Sequence, residues 1–388
     1  MALARTLCAV ATLSGLLLAC SSTPGKPAAS SPRPPTSSPV AAAPPGPACG
    51  DGAALLAPIS TRDKLAQLLM VGVKDADDAR AVVSTYHVGG IFIGSWTDLS
   101  MLTNGSLKDI AGSAGPLPLA VSVDEEGGRV QRLSTLIDIQ PSARVLAQTH
   151  TPDEVYAIAL EHGKAMRKLG ITIDFAPVAD VTEAPDDTVI GDRSFGSDPA
   201  KVTEYAGAYA RGLHDAGVMP VFKHFPGHGH GSGDSHTGGV VTPPLSVLLN
   251  DDLVPYRTLL NEGGAGVMVG HLQVPDLTND DPASLSPAAY QLLRTGTGYG
   301  GPAFDGPVFT DDLSSMAAIS DHYDVSDAAL KALQAGADTA LWVTTDQVPA
   351  VLDRLQQAVA AGELTMPAID DSVLRMAKVK GPNPRCGH

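Results

Sequence analysis

From about Ile59 onward, short and densely apolar runs alternate with longer segments whose apolar residues recur at helical spacing. The runs are LMVGV (69–73), GIFIG (90–94), LAVSVD (119–124), IDFAPV (173–178), PVFKHF (220–225), GVMVGH (266–271), PVFTDD (307–312) and TALWV (339–343). Runs that are apolar on both faces suit parallel strands covered by helices. Between them lie stretches such as SDPAKVTEYAGAYARGLHDAG. There Asp198 is placed to cap a helix, Pro199 to fill its first position and Gly217 to end it. Eight strand–helix repeats predict an α/β fold of the (β/α)8 TIM-barrel type rather than an open doubly wound sheet. No glycine fingerprint follows the first run, so the signal for a dinucleotide-binding fold is missing.

Such a barrel carries its chemistry at the C-terminal ends of its strands. Asp124 ends the third run, Lys223 and His224 close the fifth, His271 ends the sixth, and Asp311 and Asp312 end the seventh. Polar residues closing four separate runs predict one pocket at one rim.

The residues before the barrel read differently. Arg5 precedes the apolar stretch LCAVATLSGLLLA, and Cys20 follows Leu17, Leu18 and Ala19, which resembles a bacterial lipobox. The expectation is a signal peptide over residues 1–19, lipidation of Cys20 and a membrane-anchored, extracytoplasmic protein; ordinary secretory cleavage nearby is the alternative. Residues 20–48, rich in Ser, Pro, Thr and Ala, predict an extended tether, with one catalytic domain over 49–388. Cys8 would leave with the signal. That leaves Cys49 and Cys386 at opposite ends of the domain, a possible disulfide in an oxidising compartment.

The 388 residues are 44% hydrophobic and 18% charged, which fits a soluble enzyme with a real core. A formal charge of -16 and a pI near 4.9 would repel nucleic acid, and the domain holds no apolar stretch long enough to span a bilayer.

Candidate chemistry sits in four segments. KHFPGHGHGSGDSHTGG (223–239) carries His224, His228, His230, Asp234 and His236 among glycines, which predict a mobile loop. If its DSH segment is extended, Asp234 and His236 share one side and the carboxylate can orient the imidazole for general acid–base work. A solvated polar loop is the plain alternative. Zinc is a third reading by ligand type, but a structural site would want cysteines, and no metal is expected. GPVFTDDLSSM (306–316) offers a nucleophile, a metal site or a helix cap in its paired aspartates. VDEEGGRVQRL (123–133) suits a polar neutral or anionic ligand, and in TVIGDRSFGSDP (188–199) Arg193 can supply a bidentate donor fork.

Together, KHFPGHG followed by DSH, VDEEGGRVQR, IGDRSF and TDDLSSM resemble the single-domain β-N-acetylglucosaminidases of glycoside hydrolase family 3, over nearly all of the chain from Ile59. The resemblance implies that Asp311 is a nucleophile forming a covalent glycosyl-enzyme. It implies that His236 is the general acid/base with Asp234 as partner. Asp124, Arg132, Arg193, Lys223 and His224 correspond to residues that hold the terminal sugar. Asp312, His228, His230 and His271 receive no such role. An imidazole thus replaces the second of the two carboxyl groups that usually stand about 5 Å apart in retaining enzymes.

Thr310 stands where the family more often has serine, and Glu125 where it often has glutamine, which is expected to add charge near the pocket. The chain ends too soon for the extra C-terminal domain of many β-glucosidases in the wider family. The implied function is exo-acting, retaining removal of terminal β-GlcNAc, with peptidoglycan-derived GlcNAc–MurNAc fragments as the expected substrate, water completing the reaction and no cofactor. A phosphorylase using phosphate in place of water, a sugar-binding lipoprotein without catalysis and a metal-dependent barrel hydrolase are the alternatives.

Overall fold

A computed structural model describes residues 52–381. The expected signal peptide, Cys20, the expected tether, Cys49 and Cys386 lie outside the described residues. The eight apolar runs form eight parallel strands: β1 Leu69–Gly72, β2 Gly90–Ile93, β3 Ala120–Val123, β4 Ile173–Asp174, β5 Met219–Phe225, β6 Gly266–Val269, β7 Val308–Thr310 and β8 Ala340–Trp342. Each pairs with its sequence neighbours, β8 pairs with β1, and a parallel bridge between Phe309 and Thr339 joins β7 to β8. The expected barrel is therefore present, with helices outside it.

Strand alternation divides the apolar residues into two cores. Met70, Phe92, Ala120, Ile173, Phe175, Val221, Met268, Phe309 and Leu341 fill the barrel interior. Leu69, Val71, Ile91, Val121, Val267 and Val308 face the helices instead. Both sides of each strand are buried, which is why the strands read as continuous apolar runs.

The helix Pro199–Asp215 starts and stops as its sequence predicts. The Asp198 side chain accepts from the Ala200 amide, Pro199 opens the helix and Gly217 follows with φ 82°. The helix Pro152–Lys168 is opened by a reciprocal cap in which Thr151 and Glu154 satisfy each other's amides. These two helices pack against each other outside the barrel, and Pro199–Asp215 also packs on β5, which delivers Lys223.

Candidate active site

At the C-terminal rim, one cavity of about 240 Å³ gathers Asp124, Arg132, Arg193, Lys223, His224, His236 and Asp311. Asp234 lies one bond behind it, paired with His236. Cavities of about 560 and 570 Å³ open elsewhere in the helical layer, but neither contains a comparable set of reactive groups.

The strand ends explain most of this convergence. Alternation would send the consecutive Lys223 and His224 to opposite faces of β5. Its pairing with β6 slips there, with Phe222 opposite Val267 and Phe225 opposite Val269. This bulge spends one extra residue and lets both side chains reach the pocket. Alternation is kept beyond β3, so Asp124 and Glu126 face the cavity while Glu125 points the other way. The expectation that Glu125 adds charge near the pocket is thereby corrected. Its buried carboxylate accepts the Arg132 and Leu133 amides at 2.7 and 2.9 Å and pins the strand segment that carries Arg132.

The cavity's charged wall is a buried network. Lys223 Nζ stands 2.7 Å from Asp124 Oδ1 and 2.5 Å from Glu126 Oε1. Arg193 grips Glu126 with Nε at 2.7 Å and Nη2 at 2.8 Å. Burial alone would raise the Glu126 carboxyl, but the Arg193 guanidinium and Lys223 ammonium outweigh it and hold it far below the ordinary range. Burial would likewise depress Lys223, yet Asp124 and Glu126 keep it charged and raise it. The predicted fork of Arg193 therefore closes on a protein carboxylate while still lining the pocket. Arg132 lines it too, with no side-chain partner among the described residues.

Asp311 follows β7, its amide bonded to the Val269 carbonyl at 3.1 Å. Its Oδ1 accepts the Asp312 amide at 2.9 Å. Burial pushes its pKa up, but His271, His224, that amide and Lys223 bring it below the usual carboxylate value, so it is ionised near neutrality. Asp312 also borders the cavity but caps the following turn, accepting from the Ser314 amide at 2.8 Å and the Ser315 amide at 3.1 Å. The paired aspartates thus divide into one pocket carboxylate and one cap. His271 donates from Nε2 to the Asp312 carbonyl at 2.8 Å and accepts from Ser284 at Nδ1, 2.6 Å away. Burial lowers its pKa against the opposing pull of Asp311.

The loop after β5 departs from expectation in two ways. Two of its glycines serve close approach. A Cβ on Gly229 would sit 1.8 Å from the Val181 carbonyl oxygen, and one on Gly227 would sit 2.2 Å from Asp252. Buried Asp180 accepts the amides of His224 and His228 at 3.1 and 2.8 Å and bonds His224 Nδ1 at 2.7 Å. Asp234 and His236 lie in a tight turn, not an extended segment. One oxygen, Asp234 Oδ1, meets both the His236 amide at 2.9 Å and its Nδ1 at 2.8 Å. The pairing arises from that turn rather than from side-to-side alternation. The turn docks on the chain just beyond Asp311, where Ala317 and Ala318 donate to the carbonyls of His236 and Ser235.

The five residues considered as zinc ligands do not converge. His224 is taken by Asp180, His236 by Asp234, and His230 by Asp252 and Glu183 at 3.0 and 3.1 Å. Among the described residues, His230, Asp251 and Asp252 bring ligand-type atoms within 4.8 Å of one another, away from the cavity. Sequence reasoning did not single out Glu126, Asp180 or Trp96. The first two lie just beyond strands and were signalled by that position alone.

A closed barrel whose rim joins an ionised aspartate, an Asp–His pair and a small charged pocket is the setting of a glycoside hydrolase. The chain belongs to glycosyl hydrolase family 3, whose N terminal domain matches residues 60–379. Over 389 residues it is 66% identical to the beta-hexosaminidase LpqI of Mycobacterium tuberculosis, covering 100% of both chains. The solved structure of M. tuberculosis LpqI matches with a TM-score of 0.86 at 70% identity, over 87% of this chain and 98% of that one. A family 3 glycosyl hydrolase from Mycobacterium smegmatis matches with a TM-score of 0.83 at 73% identity, over 84% and 99%. A family 3 β-N-acetylglucosaminidase from Paenibacillus matches with a TM-score of 0.77 at 34% identity, over 83% and 62%. The protein is accordingly an enzyme, a glycoside hydrolase of the β-hexosaminidase kind.

Proposed function

We propose that the enzyme is an exo-acting, retaining β-N-acetylglucosaminidase that removes terminal β-GlcNAc from peptidoglycan-derived GlcNAc–MurNAc fragments. The observation that carries this reading is the shared cavity of Asp311 and His236 beside a wall of buried charge. Asp311, ionised and fixed, attacks the anomeric carbon while His236 gives its proton to the departing oxygen. The covalent glycosyl-aspartate is then released by water whose proton returns to His236. Asp124, Arg132, Arg193, Lys223 and His224 hold the hydroxyls and the acetamido group of the terminal sugar. Charge-assisted hydrogen bonds from such a preordered wall orient the ring at little entropic cost.

The substrate reading is supported by location. A signal peptide over 1–19, a lipid on Cys20 and a tether over 20–48 would hold the domain outside the cytoplasmic membrane, where wall fragments arise. Cys20→Ala should release the protein from the membrane fraction; an unchanged distribution would remove the anchor from the account.

The test of mechanism is the anomeric form of the first product. Hydrolysis of a β-GlcNAc disaccharide followed by NMR should yield β-GlcNAc before mutarotation, whereas initial α-GlcNAc would contradict the covalent route. Running the reaction in phosphate separates the rival chemistry, because accumulation of GlcNAc-1-phosphate would show that phosphate replaces water. That alternative draws on one feature: a neutral imidazole, unlike a second carboxylate, does not repel the incoming dianion.

A further inference from the structure

The cavity that holds Asp311 and His236 is assembled from two unlike halves. Chain segments following β3, β4 and β5 contribute most of its charge beside Val130 and Val189, and Asp311 and Asp312 after β7 contribute the rest. Those following β2, β7 and β8 contribute Trp96, Met316 and Val343. The proposed glycone ligands account for the charged half, and nothing in the mechanism yet uses the apolar one.

Trp96 is the unusual member. Its side lies on Gly94, where a Cβ would stand 2.4 Å from the indole. Its ring packs against Phe92 with centroids 6.1 Å apart, and Phe92 continues into the barrel through Phe175 at 6.0 Å and Phe309 at 5.4 Å. The indole therefore caps a column of rings and is held from beneath. It is nevertheless 45% exposed while lining the cavity. A large ring fixed on one side and open on the other is a ready stacking surface.

We infer that Trp96 is the platform of an aglycone subsite, and that the aglycone it takes is a pyranose ring, the second sugar of a β-linked glycan. This rests on the roles proposed above for Asp311 and His236. The leaving group must depart on the side of its proton donor, and His236 is the open flank of the site, its side chain 62% exposed. Met316 immediately precedes the Ala317 and Ala318 amides that hold the His236 turn, so the apolar wall adjoins the donor. A pyranose with equatorial substituents turns its axial C–H bonds to its two faces. Such a face packs on an indole, and a small acyclic alcohol has no equivalent surface.

The test compares chitobiose with methyl β-GlcNAc on the full chain. Both release an alcohol, so the ratio of their kcat/KM values reports the aglycone contact rather than the bond-breaking step. Trp96→Ala should lower that ratio about tenfold, the size of one aromatic contact. Trp96→Phe should keep most of it, and Gly94→Ala, which displaces the indole, should mimic the alanine variant. Inhibition by free GlcNAc should be the same in all of them. An unchanged ratio would overturn the inference, and so would GlcNAc inhibition weakening in step with turnover, because Trp96 would then contact the terminal sugar. Failure of the unmodified enzyme to cleave either compound would sink the underlying exo-β-N-acetylglucosaminidase reading instead, a result distinct from both.

Discussion

Asp311 and His236 reach the same cavity from very different supports. Asp311 stands at a strand end, bonded through its amide to the neighbouring strand and through its carboxylate to the next residue. His236 stands in a turn far along the loop after β5, held by Asp234 and by two amides beyond Asp311. The difference suits the roles proposed for them. A nucleophile must meet one carbon along one line, so fixed backbone suits it. A proton carrier must serve the leaving oxygen and then water, in a site that substrate enters and product leaves.

Removing each support gives a graded series. Asp311→Ala should have the largest effect, a loss of about 10⁴-fold or more in kcat with the fold intact, read by steady-state kinetics beside circular dichroism. Substantial residual turnover would place the nucleophile elsewhere. In kcat/KM, which reports formation of the glycosyl-enzyme, His236→Ala should cost about 10²- to 10⁴-fold on alkyl glycosides and much less on activated aryl glycosides, which need little protonation. Equal losses on both would remove His236 as the donor.

The charged wall is tested through stability. Glu126→Ala leaves Lys223 and Arg193 buried without their shared carboxylate, and denaturant unfolding should show a loss of about 3–5 kcal/mol. A neutral result would mean that the network contributes nothing to the fold. Because Glu126 is held below its ordinary value, its stabilisation is complete above the unfolded pKa of about 4.5 and fades as pH falls through the lowered folded value.

The smallest effect belongs to the loop's outer anchor. The Asp252 bond, against the cost of burial and with help from Glu183 and Asp251, pushes His230 up to about 9. A raised value stabilises fully below the unfolded pKa of about 6.5 and is lost as pH rises through about 9. His230→Asn should therefore lower Tm at pH 6 and leave little difference from the unmodified protein above pH 9. A difference that does not vary with pH would assign His230 a purely packing role.

The barrel was readable because burial on both strand faces leaves unbroken apolar runs, and all eight runs became strands. Strand-end position also marked Asp124, Lys223, His224 and Asp311 for the rim. Other features needed coordinates. Nothing in KHFPGHG announces that Gly229 is present because Val181 comes within 1.8 Å of where its Cβ would be; glycine for close approach and glycine for mobility look alike in a sequence. Glu125 and Glu126 are chemically identical neighbours, and only alternation sends one to the pocket and one to the Arg132 backbone. Trp96 was passed over because a single aromatic beyond a strand is usually ordinary surface.

The most direct measurement combines the two groups. In His236→Ala, an activated aryl β-GlcNAc can still transfer its sugar to the protein, but release lacks its base. Peptide mapping by mass spectrometry of that reaction should find a GlcNAc adduct on Asp311. An adduct on another residue, or continued turnover by this variant with no adduct at any time, would contradict the account.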